Sequence, residues 1–586
     1  MARTARILIG LVAALTLGSA TAAAADSAAA DQAFMHLADG YFDSYYFPAN
    51  PSTATIDGIH AYDDKLEGYS RADIEANVKA LRQWERRVAA VDPAPLGERT
   101  RGDRELVLNN IRSTLLTLET IRPWQKNPDI YSSGITSSAF TLMERKFAPP
   151  ETRLRALIAR ERLMPAVLDA ARRNLDNPPK VYVQIALEQL PGLEQFFRSD
   201  VPAAFATVTD AELKRQFAAS NAAVIKALED YQAWLKSDVL PGAHGDFRIG
   251  AAAFRDKLKY DEMVTLPLDR LLAIDMADLR RNQRRFAEVA HQLDPAKTPR
   301  QVLAELGSDY PPPDKLLDSF RATFDHLTAF IRQKRIITIP SDVRPIVEET
   351  PPFMRATTFA SMDTPGPYET VAKEAYFNVT LPEPGWSSQR TQEFMAQFNY
   401  PVISSVATHE AYPGHYIQFL WMQRLDDRVR KLLGANTNVE GWAHYCEQMM
   451  LDEGLAQFEF PHDRRQQLLL RLGQLQDALL RNARFVVGIK LHTGQMTMDQ
   501  AIDFFVNEGY QSRAVGEVET KRGTADPTYL YYTLGKLQIL KLRADLEARQ
   551  GKDFNLTAFH DGFMQQGFAP IGIVRRAMLH DDSPTL

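Results

Sequence analysis

Apolar positions three and four residues apart, with charged residues between them, recur over residues 71–90, 104–121, 151–175, 208–237 and 266–292. That spacing predicts amphipathic helices. Ser70 before the first and Pro149-Pro150 before the third mark helix starts. One stretch, residues 337–386, breaks the rhythm with Pro340, Pro345, Pro351, Pro352, Pro365, Pro367, Pro382 and Pro384 set among β-branched and aromatic residues. Within it Tyr376-Phe377-Asn378-Val379-Thr380-Leu381 alternates and stops at Pro382, which predicts a short edge strand. An edge strand can hold an extended peptide by strand addition. Helical periodicity returns near residue 387 and continues to the C-terminus, and no fixed-period repeat points to a solenoid. The expected architecture is mainly α, with a helical N-terminal portion over 26–336. A β-containing insert and a second helical portion follow over 337–586, and the two portions can also pack as one unit over 35–586.

The first 25 residues read differently. Arg3 and Arg6 precede an apolar run from Ile7 to about Leu17, and Ala23-Ala24-Ala25 closes the segment. This is the layout of a cleavable secretory signal, and the run is shorter than the roughly 20 apolar residues that span a bilayer. The expected location is the periplasm or the exterior, with no stable membrane insertion after cleavage. No cysteine follows the apolar run, so the pattern does not predict a lipid anchor. An Ala-rich leader follows over 26–34. The whole chain of 586 residues has one cysteine, Cys446, expected to be a buried, inert thiol. Composition adds one exclusion. With a net charge of −6 and no long basic run, the chain lacks the concentrated positive charge that nucleic acid binding draws on.

The chemistry concentrates after the insert. His409-Glu410-Ala411-Tyr412-Pro413-Gly414-His415 is close to the H-E-x-x-H zinc motif, in which histidines four apart share a helix face and the glutamate is a general base. Here the spacing is six, which on a regular helix leaves the second histidine about 120° from the first. Pro413-Gly414 predicts the remedy, a helix that bulges or breaks and returns His415 toward His409. Downstream, Glu440, His444 and Glu447 fall at i, i+4 and i+7, on one stripe of a helix whose flanks are apolar. Two histidines and Glu440 would supply three protein ligands and leave a fourth position open, as catalytic zinc sites do. Manganese or cobalt suit the same donors.

Together with Glu440-Gly441-Trp442-Ala443, the histidine motif resembles the bacterial family catalogued as domain of unknown function 885. That family is similar to zinc peptidases whose third ligand is a glutamate. Pro51-Ser52-Thr53-Ala54-Thr55-Ile56-Asp57-Gly58 and Tyr532-Thr533-Leu534-Gly535-Lys536 extend the likeness over nearly the whole mature chain. The resemblance implies a mostly helical metallopeptidase with a central cleft between two helical portions, and one zinc ion held by His409, His415 and Glu440. It implies Glu410 as general base toward a peptide substrate. Tyr532 is the candidate oxyanion donor among Tyr529, Tyr531 and Tyr532. His444 is a candidate to orient Glu440 or to donate to the intermediate, and Glu447 to orient a histidine ligand. Arg522 is a candidate for a substrate carboxylate. The expected function is an exported zinc peptidase acting on short peptides. A metal-dependent amidase on a non-peptide amide and a non-catalytic helical binding protein are the alternatives.

Overall fold

Helix ends follow the local chemistry. In the computed structural model, which describes residues 26–351, 354–355 and 358–586, α1 (Arg71–Ala89) starts at Ser70. The Ser70 hydroxyl accepts from the Asp73 N–H, and the Asp73 carboxylate accepts from the Ser70 N–H, a reciprocal cap that satisfies two otherwise unpaired donors. The signal-like residues 1–25 and Pro352 lie outside the described residues. The Ala-rich leader opens a helix over 26–41 that buries Phe34, Ala38 and Tyr41. The helix expected over 104–121 begins earlier, as α2 (Glu98–Leu115), with helical turns continuing to Ile121. Its first turns are mostly polar, which hides the start from a hydrophobic pattern.

α3 (Asp129–Glu144) is followed by a divided segment. The single helix expected over 151–175 is two, α4 (Pro150–Glu161) and α5 (Met164–Asn174). Pro165, which lacks an N–H, sits in the first turn of the second, so the ladder cannot run through. α6 (Lys180–Gln195) and α7 (Ala211–Trp234) complete a group of helices with its own core, built on residues such as Tyr131, Leu157, Leu190, Phe196 and Leu228. α8 (Leu268–Leu293) and α9 (Leu316–Lys334) lead to the insert.

The insert is a three-stranded sheet of β1 (Ile346–Glu349), β2 (Ala360–Asp363) and β3 (Tyr376–Val379) in the order β1-β3-β2. The expected edge strand is therefore central. β1 pairs with β3 in parallel, Ile346 opposite Tyr376, and β2 pairs antiparallel, Ala360 opposite Val379. All four β3 residues are buried, and both of their edges are taken, so strand addition at β3 is closed. β1 and β2 are the outer strands, each with one edge unpaired in the sheet.

The rest is helical: α10 (Tyr400–Glu410), α11 (His415–Met422), α12 (Asn436–Asp452), α13 (Arg464–His492), α14 (Arg513–Ala525) and α15 (Tyr531–Gln550). The largest core draws on both ends of the chain, including Phe34, Trp84, Phe320, Phe377, Ile403, Trp442 and Ile539. It crosses the boundary expected at 336/337, so the N-terminal segment outside α3–α7 packs with the C-terminal portion. α13 lies against α8 through Leu472 and Leu475 on one side and Leu279 and Phe286 on the other. Among the described residues no helix is long and apolar enough to cross a membrane.

Candidate metal centre

α10 is capped at Asn399, whose side chain accepts from the Val402 N–H, and its last turn carries His409 and Glu410. The helix stops at Glu410, the chain turns over 411–414, and α11 restarts at His415. This is the break that the six-residue spacing requires. Gly414 makes the turn possible by close approach: a Cβ there would stand 1.7 Å from the His409 carbonyl oxygen. The Gly414 N–H donates to the Thr408 carbonyl, and the Trp442 indole N–H donates to the Pro413 carbonyl, fastening the turn to α12.

α12 brings the third carboxylate. It crosses α15 at Gly441 and Gly535, where an added Cβ on Gly441 would come within 2.5 Å of the Gly535 Cα. Two motifs that are far apart in sequence therefore meet, and this contact sets Tyr532 beside the site.

His409, His415 and Glu440 converge with one ligand atom each. Glu440 Oε2 lies 3.3 Å from His409 Nε2 and 3.4 Å from His415 Nε2. Charge-assisted hydrogen bonds are shorter, about 2.7–2.9 Å, and Glu440 Oε2 is a buried oxygen with no hydrogen-bond partner. The separations match another geometry. Ligands about 2.0–2.1 Å from a tetrahedral zinc stand about 3.3–3.4 Å apart. The two imidazoles are nearly perpendicular, at 87° with centroids 4.9 Å apart. The donor set, its spacing and the unpartnered oxygen fit a divalent metal with imidazole and carboxylate ligands.

Behind these groups lies a buried polar chain. Glu447 Oε1 is 2.7 Å from His409 Nδ1, so the distal nitrogen of that imidazole is held by a carboxylate. Glu447 Oε2 contacts His444 Nδ1 at 3.2 Å, and Arg481 Nη2 reaches Glu447 at 3.1 Å. Burial opposes charge on His409, but the flanking carboxylates of Glu440 and Glu447 outweigh it and raise its pKa to about 9. Burial would likewise raise the Glu440 carboxyl, yet the facing imidazoles of His409 and His415 hold it well below the usual range. Glu447 is lowered too: burial is overcome by Arg481 and by His444 and His409. His444 goes the other way. Burial and the nearby Lys536 ammonium lower its pKa to about 3, keeping the imidazole neutral. Fully buried and bonded to Glu447, it does not line the cleft, which corrects its expected contact with an intermediate or with Glu440. Cys446 is buried, with its thiol pKa pushed well up by burial.

The centre opens on a cleft of about 780 Å³ between α3 and α6 on one side and α10 and α12–α15 on the other. Glu410 lines it and makes no hydrogen bond or ion pair among the described residues. β2 borders it through Ala360, Ser361 and Met362, and the Ser361 hydroxyl has no partner. Of the three tyrosines, Tyr532 alone lines the cleft. Its ring stacks 6.3 Å from that of His409, and its oxygen accepts from Arg522 Nη2 at 3.1 Å. Because that oxygen is the acceptor, the hydroxyl proton is free to donate elsewhere. Arg522 lines the same wall. Sequence reasoning missed Arg481, Asp477, and the pair of Arg484 with Glu519, bidentate at 2.7 Å. Burial raises the Asp477 carboxyl to about 6. Asp477, Arg481 and Arg484 are charges within the largely buried middle of α13, and Glu519 faces them from α14.

The chain belongs to the family described as "Bacterial protein of unknown function (DUF885)", whose profile matches residues 51–578. A solved structure from Shewanella oneidensis, of a candidate lipoprotein of unknown function, is 26% identical with a TM-score of 0.76. That match covers 93% of this chain and 99% of the other. A second, of a candidate lipoprotein from Colwellia psychrerythraea, is 20% identical with a TM-score of 0.78 and covers 94% of this chain and 99% of the other. It shares the fold. No curated protein matches the chain.

Proposed function

We propose that this member of the family is an exported metallopeptidase, with zinc held by His409, His415 and Glu440. The observation that carries the reading is the spacing of the three donors, 3.3 and 3.4 Å about an oxygen that has no hydrogen bond. Bound there, zinc supplies Lewis acidity toward a carbonyl and toward a water. Glu410, free on the cleft wall next to the first ligand, takes the proton of the attacking water and passes it to the leaving amine. Tyr532 donates its free hydroxyl proton to the developing oxyanion, with Arg522 fixing the phenol from behind. Glu447 holds His409 in the tautomer whose Nε2 faces the ligand cluster.

The open edge of β2 supports a peptide substrate over a compact amide. Its Ala360–Met362 segment runs along the cleft, and an extended chain can pair with such an edge. An exported location fits the signal layout of residues 1–25 and the description of the 26% identical solved structure as a candidate lipoprotein.

The test is hydrolysis of a mixed peptide library by the zinc-loaded protein, read by mass spectrometry, beside Glu410→Gln. Wild type cuts peptides, and Glu410→Gln keeps its metal but loses cleavage by a factor of about 10² or more. Full activity in the variant would remove the general base from the account. Inactive, metal-loaded wild type would remove peptidase activity itself.

A further inference from the structure

Among the described residues four cations line the cleft, and three are committed to acidic or carbonyl partners. Arg484 gives Nε and Nη2 to Glu519, Arg481 gives Nη2 to Glu447 and Nη1 to the Asp477 carbonyl, and Lys521 binds Glu188 at 2.7 Å. Arg522 differs. Both of its contacts, to the Tyr532 oxygen at 3.1 Å and to Asp526 at a loose 3.6 Å, use Nη2. Asp526 is itself bonded by the Tyr531 hydroxyl at 2.8 Å. The Nη1 and Nε donors of Arg522 make no contact among the described residues, and its side chain is 32% exposed on the cleft wall. An unpartnered guanidinium donor such as Nη1, facing a cleft, matches a carboxylate oxygen.

Its place limits which carboxylate. Tyr532 connects Arg522 to the centre: its hydroxyl touches the guanidinium while its ring stacks on His409. A carbonyl at the open face of the ligand cluster and a carboxylate at Arg522 would lie on either side of one phenol. Such a placement suits neighbouring groups of one chain, in which a residue spans about 3.3–3.6 Å.

We propose that Arg522 binds the free α-carboxylate of the residue that follows the scissile bond, so that the protein removes single residues from the C-terminus of peptides. This rests on the peptidase reading and gives it a direction. The reaction is simple hydrolysis: the C–N bond breaks, water supplies hydroxyl to the acyl carbon and a proton to the amine. The products are the shortened peptide and one free amino acid. Arg522 takes no part in bond making; it fixes the register of the chain.

The experiment compares three N-acetylated tripeptides: one ending in a free phenylalanine carboxylate, its C-terminal amide, and an amidated peptide ending in aspartate. They are offered to zinc-loaded wild type, Arg522→Gln and Arg522→Lys. Wild type cleaves the last bond of the free acid with kcat/KM roughly ten- to hundredfold above the amide, the range expected for hydrogen bonds to a charged group. Arg522→Gln brings the ratio close to one through a raised KM for the acid, while Arg522→Lys keeps part of it. A role confined to holding Tyr532 would instead lower kcat for acid and amide alike and leave the ratio unchanged, which overturns the proposal. Equal cleavage of acid and amide by wild type also overturns it. So does cleavage of the amidated aspartate peptide as fast as the free acid, because the carboxylate would then come from a side chain. If no peptide is cut, the peptidase reading fails, and calorimetric titration of an N-acetyl dipeptide and its amide still tests the anchor. Binding of the acid at least tenfold tighter, lost in Arg522→Gln, upholds it; equal binding refutes it.

Discussion

Replacing Glu447 with glutamine tests how the centre is held from behind. The carboxylate is 2% exposed and makes a 2.7 Å bond to His409 Nδ1, a 3.2 Å contact to His444 and a 3.1 Å ion pair to Arg481. A hydrogen bond to a charged group contributes about 1.5–3 kcal/mol. The amide oxygen of glutamine still accepts from His409, so about half of that remains. The expected loss in zinc binding is therefore about 0.8–1.5 kcal/mol, or roughly four- to twelvefold in Kd, at the low end of the 10–100-fold cost of losing a group that orients a ligand. Glu447→Ala removes the acceptor as well and leaves Arg481 buried beside His409 without its partner, a change that costs about 3–5 kcal/mol of folding stability. Zinc affinity is read by competition with a chromophoric chelator, and stability by urea denaturation of the metal-free protein. Wild-type zinc affinity within twofold for both variants would refute the claim that Glu447 orients His409.

Other consequences follow from the same geometry. Because His409 titrates near 9 in the metal-free protein, it carries a proton at pH 7.5 that a metal must displace. Calorimetry in buffers of different ionisation enthalpy should find about one proton released per zinc at that pH, declining above pH 9; no release would contradict the raised pKa. Gly414→Ala places a Cβ 1.7 Å from the His409 carbonyl and 2.6 Å from that of Thr408, backbone atoms that cannot rotate away. It should cost at least about 1–3 kcal/mol in urea denaturation and weaken zinc binding, whereas Gly572→Ala, which meets nothing within 4 Å, should be near neutral. Tyr532→Phe should keep the metal and lower kcat by roughly 10²–10³, the cost of losing one oxyanion donor; an unchanged kcat would exclude that role.

What the sequence made legible was local. Ser70 and the apolar spacing after it place α1 within one residue of its end, because capping and periodicity are short-range. The helix break between His409 and His415 was readable for the same reason, since Pro413-Gly414 lies between them. β3 was found but misjudged as an edge. Alternation describes one strand, whereas its central position depends on β1 and β2, which come from proline-flanked segments with little pattern of their own. The contact of Gly441 with Gly535 was equally invisible, being a meeting of two helices nearly a hundred residues apart. Arg481 and Arg484 look like ordinary helix charges until α13 is seen to be buried nearly all round. His444 shared a helical stripe with Glu440 and Glu447, but its partner is Glu447, three residues on, and its ring points into the protein.

The most direct test of the account is an anomalous difference map from crystals of the zinc-loaded protein, recorded at the zinc absorption edge. The account predicts one strong peak per chain, about 2.0–2.2 Å from His409 Nε2, His415 Nε2 and a Glu440 oxygen, with the fourth position facing Glu410 and free of protein ligands. A map with no peak among these three residues, or with a fourth protein ligand closing the site, would contradict it.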